Sequence, residues 1–358
     1  MAKRTRVGII GCGGMARSHA SRMSEVLDRV EIAAVVDIDL KRARAVAGHF
    51  PNDPVVAADY EEVLDHVDAV LVVLPHHLHH PVTVRCLNAG KHVLVEKPMA
   101  NSERECLDMI EAAQRNDRVL MVAYCMRFHP LILKFKEVVD NRTFGEVFQL
   151  SIWTEQHTQR DPESWHCRAG MLGGGQFFSH GCHYIDLMLW MLGRPVKGVH
   201  LGTNRGTPWM EREGTSNVCL EFEGGILGYH FGTWGARGTR LGYSFHAHCE
   251  KGMVELHLRT GRVVYLGDVE KHVPGEHDPG QREIVLMEEK HAKPTEVEMA
   301  HFVDCIETGR KPLTDPVSSL EGLKVIWKLY EAEERDTVAD LRGLGLGTMV
   351  ETGVQAAD

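Results

Sequence analysis

Residues 5–20 read TRVGIIGCGGMARSHA. A β-branched run ends in Gly11, and Gly11, Gly13 and Ala16 stand in a G-x-G-x-x-A spacing ahead of a segment with helical periodicity. Gly11 permits a tight turn and Gly13 lets the backbone approach a pyrophosphate. Ala16 lets the helix lie close on a sheet with its N-terminus toward the anion. Met15, between them, is counted as a further cofactor contact. The next strand-like run, EIAAVVD, ends at Asp37, 24 residues beyond Gly13, where a carboxylate can accept hydrogen bonds from ribose hydroxyls. The same charge would repel a 2′-phosphate, so NAD(H) is expected over NADP(H), with Lys41 and Arg42 close enough to weaken the preference. A second reading of Asp37, as the cap of the next helix, stays open.

Outward from this stretch, DAVLVVLP (68–75), HVLVEKP (92–98) and RVLMVAY (118–124) are further short apolar runs separated mostly by helical-period segments. Near-continuous apolar strands of this kind imply a parallel sheet covered on both faces. After about residue 125 the pattern changes. A helix-like PLILKFKEVVDN leads to GEVFQLSIWTEQH, a Gly-rich helix near 175–192, and then VKGVHLGTN, TSNVCLEFEGG, GILGYHFGTWG, GYSFHAHCEKG and MVELHL, separated by turn residues. Alternation and short turns predict a mostly antiparallel sheet. Helices follow over 296–309, with Gly309 as C-cap, and 317–334. The expected domains are 1–124 for the dinucleotide and 125–342 for substrate and oligomerisation, with the C-terminal helices free to pack back on the first domain and 343–358 as a tail.

The 358 residues, 43% hydrophobic, suffice for two cores. A formal charge of -10 and the lack of a basic run argue against nucleic acid and anionic membrane as partners. No apolar stretch is long enough to span a bilayer, and the N-terminus lacks the pattern of a secretory signal. Nine scattered cysteines, without a C-x-x-C pair, suit a reducing compartment, and a cytoplasmic location is expected. His76, His77, His79 and His80 are crowded in a spacing that matches no metal-ligand pattern, so no metal is expected. His246 and His248 alternate within a strand and receive no role.

HVLVEKPMA (92–100) carries a strand straight into Glu96, Lys97 and Pro98 with no turn residue between. Ionisable groups at a strand end that faces a crevice usually serve a ligand. A solvated strand end is the other reading.

At LPHHLHH (74–80), EKP (96–98) and GGGQFFSHGCHYIDLMLWMLG (173–193) the chain resembles the glucose-fructose oxidoreductase, inositol dehydrogenase and rhizopine-catabolism family, Gfo/Idh/MocA. The likeness runs over roughly residues 5–335. VAYCMRFHP (122–130) resembles the family's crossing between domains, and FVDCIETGRKPLTDP its C-terminal helix and loop. In the family's P-N-x-x-H segment Pro75 and His79 match, while His76 replaces asparagine. The resemblance implies an α/β Rossmann domain followed by an α+β domain with an open, mainly antiparallel sheet. Such sheets often pair across subunits, so a homodimer or homotetramer is expected.

By the same resemblance Lys97 holds and polarises the reacting hydroxyl, and His183 takes its proton, with Asp186 as the motif's final carboxylate. An amine from the N-terminal half and an imidazole from the C-terminal half are thus expected to meet over one dinucleotide ring. Simple packing is the other reading of His183. Pro75, His79 and Glu96 join the cofactor contacts. Ser179 stands where the family has aspartate, four residues before the histidine. Serine binds a hydroxyl but accepts a proton poorly, so the proton path rests on His183 and Lys97, with His180 as a further candidate. Tyr124 and Arg127 are expected to bind sugar hydroxyls, and Trp165 to offer a face to a pyranose, helped by His166 or Arg168; a core position is the other reading of Trp165. The family likeness also raises the expectation of a cis bond at Lys97-Pro98. The implied activity is an NAD-dependent oxidoreductase acting on a secondary alcohol of a polyol, sugar or sugar derivative. The alternative is a redox-assisted glycosidase or lyase working through a transient keto-sugar.

Overall fold

Strands covered on both faces need unbroken apolar runs. Ala69–Val72 is the plainest case, with all four residues buried. The computed structural model describes residues 4–267 and 282–344. In its first part β1 (Thr5–Ile10), α1 (Gly14–Arg22), β2 (Val30–Val36), α2 (Leu40–Ala47), β3 (Val55–Ala57), β4 (Ala69–Val72), α3 (His79–Asn88), β5 (His92–Glu96), α4 (Glu103–Arg115) and β6 (Leu120–Ala123) alternate. The strands form a parallel sheet in the order β3-β2-β1-β4-β5-β6. The order reverses between β1 and β4, which opens a crevice at the carboxyl ends of the strands. Short polar side chains start α2 and α4: Asp39 accepts the Lys41 N–H at 2.9 Å, and Ser102 accepts the Glu105 N–H at 3.3 Å.

Beyond residue 125 come α5 (Pro130–Asp140), β7 (Val147–Glu155), α6 (Ala169–Leu172), α7 (Cys182–Leu192), β8 (Pro195–Thr203), β9 (Thr215–Phe222), β10 (Leu227–Thr233), β11 (Tyr243–Cys249), β12 (Gly252–His257), β13 (Arg262–Gly267), β14 (Arg282–Glu288), α8 (Thr295–Thr308), α9 (Pro316–Glu334) and β15 (Ala339–Asp340). The described strands pair in the order β14-β13-β12-β11-β7-β10-β9-β8-β15. All neighbours are antiparallel except β7 and β10. Alternate residues Leu150, Ile152, Val218, Leu220, Phe245, Ala247, Val254 and Leu256 are buried. Phe135 of α5 meets Phe245 edge-on at 5.9 Å between ring centroids, so the helix stripe and the inner sheet face make one core.

Two compact units result: Met1–Cys125 with Gly170–Gly173 and Pro294–Leu320, and Met126–Ala169 with Gly174–Lys293 and Glu321–Asp358. Helix α8 therefore belongs to the first unit, where Arg29 forks onto Asp304 at 2.6 Å and Glu307 at 2.7 Å. Gly309 ends α8 at φ 69 and its N–H bonds the Cys305 carbonyl, the C-cap expected from the sequence. The strand expected over 118–124 spans only Leu120–Ala123, and β3, β13, β14 and β15 are additions to the sequence reading. The Gly-rich helix expected near 175–192 is two pieces, a π-helical turn Phe177–Gly181 running into α7. The expected tail, 343–358, lies outside the described residues from 345 onward. No described helix is long and apolar enough to cross a membrane.

Candidate active site

In the first unit the chain leaves β1 through Gly11 at φ 93. A Cβ there would stand 2.2 Å from the Val73 carbonyl oxygen, so both backbone conformation and space require glycine. Gly13 is different. It caps α1 at φ -74, and a Cβ on it or on Gly14 would meet nothing within 4 Å. The protein itself has no need of the missing side chains at these two positions; a group arriving over the N-terminus of α1 would, and an anion is the group that this end attracts. Ala16 is fully buried where the helix lies on the sheet, and Met15 is half-buried beside it.

Asp37, at the tip of β2, accepts the Cys12 N–H on Oδ2 and the Asp39 N–H on Oδ1, both at 2.8 Å. These bonds fix its carboxylate against the glycine turn. The helix-cap reading of Asp37 is corrected: Asp39 caps α2, and it also draws Arg42 Nε to 3.4 Å. The residues present fit a dinucleotide whose pyrophosphate faces Gly13 and Gly14 and whose ribose faces Asp37.

The segment after β5 is held from three directions. Glu96 is buried; its Oε1 meets His19 Nε2 at 2.8 Å, and its Oε2 accepts the Lys97 N–H at 3.2 Å. His79 is also buried, with Nδ1 2.8 Å from the Pro98 carbonyl and Nε2 2.9 Å from the Leu74 carbonyl. Burial is the largest influence on its pKa and holds it below the usual histidine value. Glu96 and His79, read from the sequence as cofactor contacts, thus brace the backbone around Lys97, which is half-buried, and the Lys97-Pro98 bond is cis. Pro75 caps the short turn His76–Leu78, where His76 Nδ1 meets the Leu172 carbonyl at 2.8 Å. His19 was missed in the sequence. Its signal is a polar residue on the face of α1 that also buries Ala16 and Ala20.

In the second unit the π-helical turn is pinned from beneath. The Tyr330 hydroxyl accepts the N–H groups of Gly175 and Phe178, each at 3.2 Å, and donates to Glu213 Oε1 at 2.6 Å. The same Glu213 oxygen accepts the Phe177 N–H at 3.1 Å. A Cβ on Gly175 would lie 2.3 Å from Glu213, which is why the chain is small here. Burial pushes the Tyr330 hydroxyl well above its ordinary pKa, so it stays protonated and keeps donating.

Above this turn lies a pocket of about 380 Å³, whose described walls include His180, His183, Tyr184, Tyr243, Glu155 and Arg259. Hydrogen bonds run through His180 in one direction. Ser216 donates to Gln176 Oε1 at 2.9 Å, and Gln176 Nε2 donates to His180 Nδ1 at 3.3 Å. His180 Nε2 faces the Tyr243 oxygen at 3.4 Å, and Tyr243 donates to Gln156 at 2.6 Å. Burial pushes the Tyr243 phenol up to about 12. Both ring nitrogens of His180 are thus engaged by protein groups. Among the sequence-derived candidates this leaves His183, buried on the first turn of α7.

The remaining candidates are not among the described wall residues. Arg127 is buried and forks onto Asp186, Nε at 2.8 Å and Nη2 at 2.7 Å, under the face of Trp190. With two of its nitrogens on the carboxylate, the guanidinium braces α7. Ser179 is buried in the π turn, and Trp165 stacks on His166 at 3.8 Å between ring centroids; neither is among the described wall residues. Arg168 pairs with Glu163 at 2.6 Å and Glu211 at 3.0 Å. Tyr124 is buried in the first unit. Tyr243, Glu155 and Arg259 were missed because they come from three separate strand ends and turns.

Comparison with known proteins agrees with both units. A curated relative, inositol 2-dehydrogenase 2 of Saccharopolyspora erythraea, is 30% identical over 62% of this chain and 64% of its own length. An inositol 2-dehydrogenase of Corynebacterium glutamicum is 28% identical over 63% of this chain and 66% of its own. The chain therefore spans just under two thirds of the length of these relatives. Among solved structures, aldose-aldose oxidoreductase from Caulobacter crescentus, complexed with glycerol, shares the fold with a TM-score of 0.81 and 24% identity, over 95% of this chain and 100% of that one. Residues 5–124 match the model described as an oxidoreductase family with an NAD-binding Rossmann fold, and residues 132–255 match the GFO/IDH/MocA C-terminal domain. With both domain models satisfied in order across well over half of its length, the chain belongs to the GFO/IDH/MocA oxidoreductase family.

Proposed function

We propose that the protein is an NAD-dependent dehydrogenase of a secondary alcohol in a polyol, sugar or sugar derivative, with Lys97 and His183 handling the hydroxyl proton. The observation that carries this reading is the buried imidazole of His183 in the wall of a monosaccharide-sized pocket, with the neighbouring imidazole already committed to Tyr243 and Gln176. The names of the curated relatives support the substrate class.

Oxidising such an alcohol removes a hydride from carbon and a proton from oxygen, leaving a ketone. A bound nicotinamide supplies the hydride acceptor. In this reading the Lys97 ammonium polarises the hydroxyl, and His183 takes the proton at a ring nitrogen as the hydride leaves. Glu96 and His79 keep the backbone of Lys97 in place, and the Tyr330–Glu213 pair keeps the turn ahead of His183 in place. NAD is favoured over NADP because the Asp37 carboxylate, held by the Cys12 and Asp39 amides, would repel a 2′-phosphate, and Arg42 is turned toward Asp39.

Self-association is assigned to the open face of the second sheet, as a homodimer or homotetramer. On that face Trp153 approaches His246 at 4.8 Å and Tyr229 at 5.8 Å between ring centroids, and Leu227 is exposed. Sedimentation equilibrium showing a monomer throughout the micromolar range would remove this assignment.

The activity is tested by following NADH absorbance across a panel of polyols, sugars and sugar derivatives. The proposal requires stoichiometric NADH from at least one member. Product without NADH, together with exchange of the substrate's C2 hydrogen for solvent, would instead select the redox-assisted glycosidase or lyase.

A further inference from the structure

The chain has a formal charge of -10, yet the described wall of the second unit's pocket carries Arg259 and Lys293 against a single carboxylate, Glu155. That carboxylate is already engaged: its Oε2 accepts the Gly242 N–H at 2.9 Å and the Thr239 hydroxyl. Arg259 lies on the turn between β12 and β13, where its Nη2 donates to the Arg240 carbonyl at 3.3 Å. This bond ties the guanidinium to the loop after β10 without neutralising it. Arg262, at the start of β13, is treated differently, with Glu283 at 3.2 Å and Glu288 at 3.4 Å. No described carboxylate stands within ion-pair distance of Arg259 or Lys293. The loop itself, GARGTRLG (235–242), adds Arg237 and Arg240 and no acid.

A cationic cleft in an acidic protein draws anions out of solution, and low-dielectric walls concentrate its field. A guanidinium fork matches two oxygens of a carboxylate or phosphate, while an ammonium adds a point charge. A pocket of about 380 Å³ suits one monosaccharide unit. We propose that the substrate is a monosaccharide-sized polyol or sugar bearing an anionic group, bound by Arg259 and Lys293. This rests on the reading of the pocket as the substrate site.

The test is calorimetric titration of the whole protein, saturated with NADH, with D-gluconate, D-glucuronate, glucose 6-phosphate, D-glucose and myo-inositol. At least one anion is expected to bind about tenfold tighter than its neutral counterpart. Replacing both cations (Arg259→Gln with Lys293→Gln) is expected to remove roughly that tenfold. Raising salt from about 20 to about 200 mM is expected to weaken only the anions. Both side chains are exposed, so the variant keeps its fold, which circular dichroism checks. Carboxylates and phosphates in the panel distinguish the two kinds of anion. Equal or tighter binding of the neutral ligands, no binding by any anion, or a preference unchanged in the variant would each overturn the proposal. An anion that binds in this manner without yielding NADH with NAD present supports the anionic subsite and counts against the dehydrogenase reading. NADH produced from neutral ligands alone does the reverse.

Discussion

At the head of α1 the groups open to an anion are backbone amides, uncovered because Gly13 and Gly14 carry no side chain. In the second unit's pocket they are imidazoles, phenols and charged tips from β7, α7, β11 and the turn after β12. The first arrangement depends on what is missing at two positions, and the second on many side chains held by partners behind them. Substitution therefore has separable consequences in the first and graded ones in the second.

The sharpest way to break the comparison is at the glycines. Gly11→Ala sets a Cβ 2.2 Å from the Val73 carbonyl at φ 93, and is expected to cost several kcal/mol, on the order of 3 or more, seen as insoluble expression or a large fall in Tm. Gly13→Ala meets no protein atom. Its Tm is expected to stay within a few degrees of wild type while the Kd for NADH rises about tenfold or more. Equal effects on both measurements in the two variants would remove the assignment of Gly13 to the cofactor.

Support from behind comes next. Tyr330→Phe removes the acceptor of the Gly175 and Phe178 amides and one of the two donors to Glu213 Oε1, at an expected cost of about 1–3 kcal/mol in a urea titration. In the first unit His19→Ala removes one partner of buried Glu96. That change is expected to lower kcat more than it raises the Kd for NADH, with His19→Gln recovering part of the loss; a pure loss of Tm with unchanged kcat would mark the pair as structural only.

The last expected effect is a pH dependence, negligible at neutral pH and felt only below about pH 6.5. Burial pushes His230 down to about 3, whereas an unfolded histidine titrates near 6.5. Between these values the unfolded chain binds the proton and the folded chain does not, so stability is full above about pH 6.5 and falls as the pH drops toward 3. His230→Gln is expected to flatten that slope in Tm measured against pH, and an unchanged slope would contradict the assignment.

Much of the first unit could be read from its residues because each task falls on a residue type with few substitutes: glycine for Gly11, a carboxylate for Asp37, apolar runs for β4 and β5. The second unit hides more. β13 and β14 are separated by residues 268–281 and pair only through the folded sheet. The π turn depends on Tyr330 and Glu213, which lie far along the chain from it. Arg127 shows the limit of the reading: its type suggested a ligand contact, and only the position of Asp186 shows where its fork goes.

The central claim, that Lys97 and His183 serve one chemical step, is tested most directly by kcat and the Kd for NADH in Lys97→Ala, His183→Asn and the double variant. Each single change is expected to lower kcat about 100-fold or more, with NADH affinity within roughly twofold of wild type. The double variant is expected to be scarcely worse than the more damaged single one, since residues acting as a unit are not additive. Near-normal turnover in either single variant, or a loss of turnover matched by a loss of NADH binding, would contradict the account.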